Sequence, residues 1–208
     1  VLAHRRAFGG IILGIGLVYS VTIGLQLWSP AFLGRVHGWK PAQIGLWMGI
    51  AQMVPAATLP IHGRMVDRWF SKGKGDAHLA WCLATMAIAG PCAVAAYLVS
   101  SPQLTVVLFG AYMMLIMSTA SMGPAAAQVV TPPHLRGRVS AIFVLVTGLV
   151  GMVLGNLLVG LFTDHVLGDP KQVGTSLVLL VVLVLSCAAL LLSLGRAEMR
   201  AMATTKES

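Results

Sequence analysis

Charge is scarce in this sequence of 208 residues. Only 10% of the residues are charged, and Asp and Glu together number six. Hydrophobic residues make up 57% of the chain, and the mean hydropathy is +0.87. So few polar groups cannot cover the surface of a soluble domain of this length. The composition therefore excludes an ordinary soluble domain and indicates an integral membrane protein.

Cysteine is also rare, and patterns that would hold a metal or a nucleotide are missing. Cys82, Cys92 and Cys187 lie in apolar stretches and are odd in number, so we expect packing residues and not a disulfide framework. The six histidines lack the spacing of a metal site, and no Gly-rich, Lys-containing phosphate loop occurs. We expect no cofactor, no metal and no direct use of ATP.

Long apolar stretches are what the sequence has in abundance. Each covers roughly 20 residues or more, which as an α-helix crosses a hydrocarbon core of about 30 Å. The stretch "LVLLVVLVLSCAALLLSL" is continuously apolar, unlike the alternating strands of a membrane barrel. The sequence predicts an all-α, polytopic membrane protein with six transmembrane helices. The predicted spans are about 8–30, 42–63, 79–99, 104–130, 139–163 and 174–194.

The basic residues divide unequally between the two sides of such a bundle. One side carries Arg35, Lys40 and Lys171 only. The other carries Arg5, Arg6, Arg64, Arg68, Lys72, Lys74, Arg136, Arg138, Arg196, Arg200 and Lys206. The positive-inside rule predicts an inner (plasma) membrane protein with both termini of this chain cytoplasmic. The net charge of +8 does not indicate nucleic-acid binding, because no aromatic stacking platform is interleaved with the basic residues.

Polar residues within the predicted spans are concentrated in spans one, two, four and five. Polar groups in hydrocarbon are costly unless they face protein or water. We therefore predict a 3+3 arrangement in which the first two helices of each triplet line a path and the third faces lipid. The candidate substrate contacts are Tyr19, Gln26, Gln52, Tyr112, Ser118 and Asn156. For each of them, a hydrogen bond between helices is the alternative.

Prolines, glycines and one histidine mark special positions in these spans. Pro55, Pro60, "AGP" at 89–91 and "MGP" at 122–124 predict kinks. Gly148, Gly151 and Gly155 are predicted to share one helix face that packs within the bundle. His62 is the titratable side chain placed inside a predicted helix, and a hydrogen-bonded structural role is favoured over a change of charge.

The charged segment 62–78 carries a family resemblance. "GRMVDR", Gly63 to Arg68, resembles the loop signature of the major facilitator superfamily, with Met65 and Val66 at the Leu and small-residue positions. The tail "WFSKGKG" departs from the compact Gly-Arg-Arg run of that signature. The stretches 27–49, 67–78, 131–143 and 160–177 look like the carboxyl-terminal half of bacterial spinster-like members.

The resemblance implies a fold and a latch. Superfamily transporters have twelve spans in two halves, with the substrate held between them. Residues 1–208 are accordingly expected to form the carboxyl-terminal six-helix half, and the amino-terminal half is expected to be missing. In the family the signature forms a conformational latch, a role that falls here on Gly63, Asp67 and Arg68. Arg136 and Arg138 are the matching element of the second triplet.

The implied function is secondary transport. The expected substrate is an amphipathic or organic anionic solute, possibly lipid-like, moved by alternating access, with a sugar-acid or drug carrier as the alternative. The expected partners are that small-molecule or lipid-like substrate, the missing half of the transporter and membrane lipids, but no nucleic acid. From other classes, a non-transporting membrane scaffold or an intramembrane enzyme stays open, although an enzyme is not expected.

Overall fold

The structure is a computed structural model that describes residues 5–73, 76–129, 131 and 133–207. The described chain is helical and contains no strand in those ranges. Lys74 of the predicted charged segment lies outside the described residues, as do the side chains of Arg5, Arg6, Arg200 and Lys206. The α-helices are α1 Arg5–His37, α2 Pro41–Ser71, α3 Ala77–Leu98, α4 Pro102–Ile116, α5 Ser118–Val129, α6 Arg136–Leu161, α7 Val173–Leu180 and α8 Ser186–Glu207.

Five helical segments among the described residues are long and apolar enough to cross a membrane. They are Gly9–His37, Pro41–Ser71, Ala77–Leu98, Pro133–Leu167 and Pro170–Ala197. The predicted fourth span, 104–130, is divided at Met117 into α4 of 15 residues and α5 of 12 residues. Wider π-helical turns, Phe162–Leu167 and Val181–Leu185, interrupt the last two segments. The all-α, multi-pass architecture is confirmed, and the count of six crossings stays a prediction.

Two helices run further than their apolar stretches predict. α1 continues through Pro30 to His37, because a single missing N–H is tolerated in a membrane helix. α2 continues through the charged segment to Ser71, so the "GRMVDR" signature is helical and not a loop. Hydropathy reports where a helix leaves hydrocarbon, whereas the helix itself ends only where its backbone bonds end.

The core of the bundle is centred on α1. Ile11, Ile15, Leu25 and Leu33 of this helix are fully buried. The α1 and α6 backbones approach so closely that a Cβ on Gly155 would lie 2.0 Å from the Ser20 carbonyl oxygen. Only glycine allows this contact, which is the small-residue packing that membrane helices use in place of a hydrophobic driving force.

The least covered helices are α2 and α6. In the apolar window of α2 only 17% of residues are buried within the bundle, compared with 56% for α1. The window of the segment that contains α6 is 28% buried. The large exposed apolar side chains are Leu46, Trp47, Ile50, Met53, Val54, Leu59, Ile61 and Phe70 on α2, and Ile142, Val144, Leu145, Leu149, Met152, Val153, Leu157 and Leu161 on α6. These two faces need a cover of lipid or protein.

Candidate functional site

Three of the predicted substrate contacts are hydrogen-bonded inside the bundle. The Thr22 hydroxyl donates to the Val18 carbonyl (2.9 Å), so it accepts from the Tyr112 hydroxyl at 3.0 Å. Tyr112 is completely buried. The half-buried Gln26 amide donates to the Met113 sulfur at 3.6 Å. These groups join α1 to α4, which is the helix-to-helix role that the sequence left open.

Ser118 has a similar position at the first residue of α5. It is fully buried, and its hydroxyl donates to the Leu115 carbonyl at 2.9 Å. The Thr85 hydroxyl of α3 lies 3.3 Å from Ser118 Oγ. Thr85 itself donates to the Trp81 carbonyl at 3.0 Å. The two hydroxyls are thus in contact where the fourth span is interrupted, while each donates its hydrogen to a backbone carbonyl of its own span.

The other three predicted contacts are less enclosed. Gln52 is exposed on α2, and the half-buried Asn156 on α6 donates its amide to the Met152 carbonyl of its own helix at 2.8 Å. Tyr19 is half-buried, and its Cβ lies 3.0 Å from where a Cβ on Gly151 would stand. Tyr19 also lines a crevice of about 20 Å³ at the Met117 break. That volume is near the size of one water molecule.

The predicted latch residues lie at one end of the bundle and face outward. Asp67 and Arg68 are exposed on the last two turns of α2, and Gly63 is half-buried with nothing within 4 Å of a Cβ placed there. Arg136 and Arg138 are exposed in the first turn of α6. The Asp67 carboxylate is close enough to His78, at the start of α3, for an electrostatic interaction.

A partly buried ion pair at this charged end was missed by the sequence reasoning. Asp76, only 6% exposed, accepts from Arg196 Nε at 2.5 Å. The pair joins the residue before α3 to α8 across 120 positions of sequence. The sequence signal for this ion pair is weak. It shows an acidic residue where one span begins and a basic residue where the last span ends, but it does not show that these two helix ends are in contact.

A second apolar cluster, separate from the main core, lies beside that ion pair. We call it the charged-end cluster; it comprises Val66, Ala77, Cys82 and Met122, with Trp69 and Trp81 packed against them. The two indoles meet edge to face, with ring centroids 5.3 Å apart. The sequence predicted Cys82 as a packing residue. Cys82 is fully buried in the cluster, whereas Cys187 is exposed.

His62 connects the charged-end cluster to the fourth span. Its Nε2 lies 2.8 Å from the Met114 carbonyl oxygen, and the Trp81 indole N–H donates to its Nδ1 at 3.2 Å. The hydrogen-bonded structural role expected for this histidine is confirmed. The sequence could not identify either partner, because they lie 19 and 52 residues away.

The surface also contains an apolar groove of about 480 Å³ between α3 and the segment that joins α7 to α8. It is lined by Met86, Pro91 and Leu185, together with small residues such as Gly90 and Ala189. None of the predicted substrate contacts lines it. The groove lies on the third and last spans, which were predicted to face lipid.

The described helices thus form a polytopic bundle whose spans are joined by polar contacts. No family model matches the chain. In sequence it is 27% identical over 184 residues to an MFS-type efflux pump of Mycolicibacterium smegmatis, a match that covers 86% of this chain and 42% of that protein. In structure it matches a bacterial homologue of the human lysosomal transporter Spinster, solved in an inward-facing and occupied conformation, with a TM-score of 0.64 and 16% identity.

That structural match covers 96% of this chain and 49% of the Spinster homologue. The chain therefore has the fold of about half of that protein. The predicted resemblance to the major facilitator superfamily is confirmed by the efflux pump, and the predicted resemblance to spinster-like members is confirmed by the Spinster homologue. The chain spans less than half the length of the two relatives it matches.

Proposed function

We propose that the chain forms one transmembrane unit of a secondary transporter that moves an amphipathic or organic anionic solute by alternating access. The observation that carries the proposal is the sequence similarity to an MFS-type efflux pump over 86% of this chain. The fold shared with the Spinster homologue supports it. The unit lies in the inner (plasma) membrane with its charged end cytoplasmic, as the excess of basic residues at that end favours.

A second six-helix unit is the proposed partner. The apolar faces of α2 and α6 are the least covered surfaces of the bundle, and both run the length of a membrane span. A second unit that packs on both faces would enclose a path beside Gln52, Tyr19 and Asn156. In transporters built from two such units, the substrate generally binds between the units near the middle of the membrane.

The latch is proposed to act between the two units. Asp67 and Arg68 project from the exposed end of α2, and the space at Gly63 admits the backbone of another helix. A carboxylate at this place can accept hydrogen bonds from a helix N-terminus of the partner unit. Breaking and remaking that contact would favour one of the two end states in each cycle.

The solute class follows from where charge is present. Asp67, Arg68, Arg136 and Arg138 lie at the charged end, whereas Gln52, Tyr19 and Asn156 along the proposed path are neutral. A neutral, largely apolar path favours a solute with an apolar body. The basic mouth attracts an anionic group on that solute, since clustered charge raises the local concentration of counter-ions.

Solute flux through the full-length protein tests the proposal. Everted membrane vesicles are loaded with three fluorescent probes in separate experiments: carboxyfluorescein as an organic anion, a nitrobenzoxadiazole-labelled lysophospholipid as an amphipath, and ethidium as a cationic drug. We expect saturable flux of the anion or the lysophospholipid. Asp67→Asn should reduce that flux at least about tenfold while expression persists, since a latch contact that involves a charge is worth roughly 1.5–3 kcal/mol.

Asp164→Asn is the matched control. Asp164 is also an exposed carboxylate, but it lies in the turn after α6, away from the signature. Its removal should leave flux unchanged. Equal loss in both variants would assign the effect to general charge and not to the latch. Absence of flux with every probe, together with indifference to Asp67→Asn, would favour the membrane scaffold.

A sugar-acid or drug carrier is the second candidate. The Mycolicibacterium smegmatis relative is described as an efflux pump, which favours export, and ethidium is the drug probe. In that case ethidium is the probe that shows saturable flux, and the anion and the lysophospholipid do not compete with it. An intramembrane enzyme would instead show lipid turnover that disappears in Ser118→Ala. The probes thus separate the two transport alternatives from each other and from catalysis.

A further inference from the structure

His62 holds a single tautomer in the structure. An indole nitrogen can only donate, so the Trp81 contact at 3.2 Å makes His62 Nδ1 an acceptor. The proton of the neutral ring is therefore on Nε2, and this N–H donates to the Met114 carbonyl at 2.8 Å. The side chain is buried, and both of its nitrogens are used. One ring thus joins three helices: α2 through its backbone, α3 through Trp81 and α4 through Met114.

The bond to Met114 lies beside the interruption of the fourth span. In a continuous helix the carbonyl of Met114 accepts from the N–H of residue 118. Here α4 ends at Ile116 and α5 begins at Ser118. A side chain that inserts into this ladder of bonds is one of the known physical causes of a helix break. Ser118 Oγ donates to the next carbonyl, that of Leu115, so two consecutive carbonyls receive side-chain donors.

The other side of the same ring faces the charged end. His62 directly precedes Gly63 of the signature and lies five residues before Asp67, about 7.5 Å along the helix axis. Trp81, which donates to His62, also packs edge to face on Trp69, and Trp69 follows Arg68 directly. Any shift of the end of α2 therefore acts on His62 through its own backbone and through the two indoles, which meet edge to face.

We propose that His62 is a positioning residue that couples the charged end of α2 to the break in the fourth span. The inference rests on the proposed transport function, in which α2 moves between two end states. When α2 moves, the bonds to Trp81 and to Met114 are lost together. The Met114 carbonyl then becomes available to its own helix, and the fourth span can straighten beside the proposed path.

The reactivity of the Cys82 thiol can be used to measure this movement. It is fully buried in the charged-end cluster, next in sequence to Trp81. In full-length protein in which Cys92 and Cys187 are replaced by alanine, the rate of modification by N-ethylmaleimide measures how often the cluster opens. His62→Leu removes both hydrogen bonds and should raise this rate at least about threefold, as expected for the loss of even one average bond between membrane helices.

His62→Gln is the conservative control. Its amide can donate to the Met114 carbonyl and accept from the indole, so the modification rate should stay within about twofold of the parent protein. Trp81→Phe removes one donor and keeps an aromatic ring against Trp69. It should give a smaller increase than His62→Leu, and it keeps the inference testable if the leucine variant does not fold. An unchanged rate in both His62→Leu and Trp81→Phe would overturn the inference.

A transport readout separates coupling from local packing. Flux of the probe that the parent protein carries should fall in His62→Leu and recover in His62→Gln. If Cys82 becomes reactive in His62→Leu while flux stays at the parent level, the coupling role is refuted. If the parent protein moves no probe, the proposed function fails, and the Cys82 rates in the three variants then decide the inference by themselves.

Discussion

Gly155→Ala perturbs the closest contact between two helices in the bundle. The added Cβ would stand 2.0 Å from the Ser20 carbonyl oxygen and 2.9 Å from its carbon, whereas ordinary contact begins at 3.4 Å. Both Ser20 atoms belong to the backbone of α1, so no side chain can rotate away. The helices must separate by about 1 Å or more, and the dispersion contacts along the α1–α6 seam weaken with that separation.

We expect the free energy of unfolding to fall by about 3 kcal/mol, the upper part of the usual range for overpacking, because the obstacle is backbone. For a domain of this size, each kcal/mol corresponds to roughly 2–4 °C in Tm, so Tm should fall by about 6–12 °C. The assay is thermal unfolding of detergent-solubilised protein, followed by tryptophan fluorescence and by loss of the monodisperse peak.

Gly148→Ala is the matched control in the same helix. The sequence placed Gly148 on one face with Gly151 and Gly155, but the structure leaves nothing within 4 Å of a Cβ at Gly148. Alanine there should leave Tm unchanged or raise it slightly, because glycine in a helix interior is about 1 kcal/mol less favourable than alanine. Equal destabilisation by both substitutions would refute the reasoning from the close contact.

Two further predictions concern polar contacts between helices. Arg196→Met removes the cation that faces the buried Asp76 carboxylate and should lower the free energy of unfolding by roughly 3 kcal/mol. Arg196→Lys keeps the positive charge and should keep about half of that stabilisation. Thermal unfolding of the two variants gives the comparison. Tyr112→Phe removes the bond to Thr22 and should cost about 0.6 kcal/mol, the average for such bonds in a membrane. A Tm loss as large as that of Arg196→Met would show that Tyr112 does more than join two helices.

The sequence predicted the spans well because hydropathy is a local property. The predicted third span, 79–99, and the observed α3, Ala77–Leu98, differ by two residues at most at either end. The prediction was less good where a helix leaves hydrocarbon without ending, as α2 does beyond Gly63. It also did not find the break at Met117, because that residue is neither Pro nor Gly and the bond that marks the position comes from His62 on another helix.

Polar residues were identified, but their partners were not. The sequence placed Tyr112 and Gln52 together among the candidate contacts, yet Tyr112 is sealed against Thr22 and Gln52 is exposed. Which side of a helix faces the bundle depends on how the helices cross. With so weak an amphipathic pattern in spans that are apolar all round, the sequence holds little information about that rotation.

By itself, the sequence determined that this chain is an all-α membrane protein, where its apolar segments lie, and that a "GRMVDR" signature follows the second of them. These properties are set by composition and by order along the chain. Only the tertiary structure decided that Asp76 meets Arg196, that His62 joins three helices and that Gly155 and not Gly148 is the point of closest approach. Each of these depends on contacts between residues far apart in sequence, and in a bundle those contacts are set by the packing of whole helices.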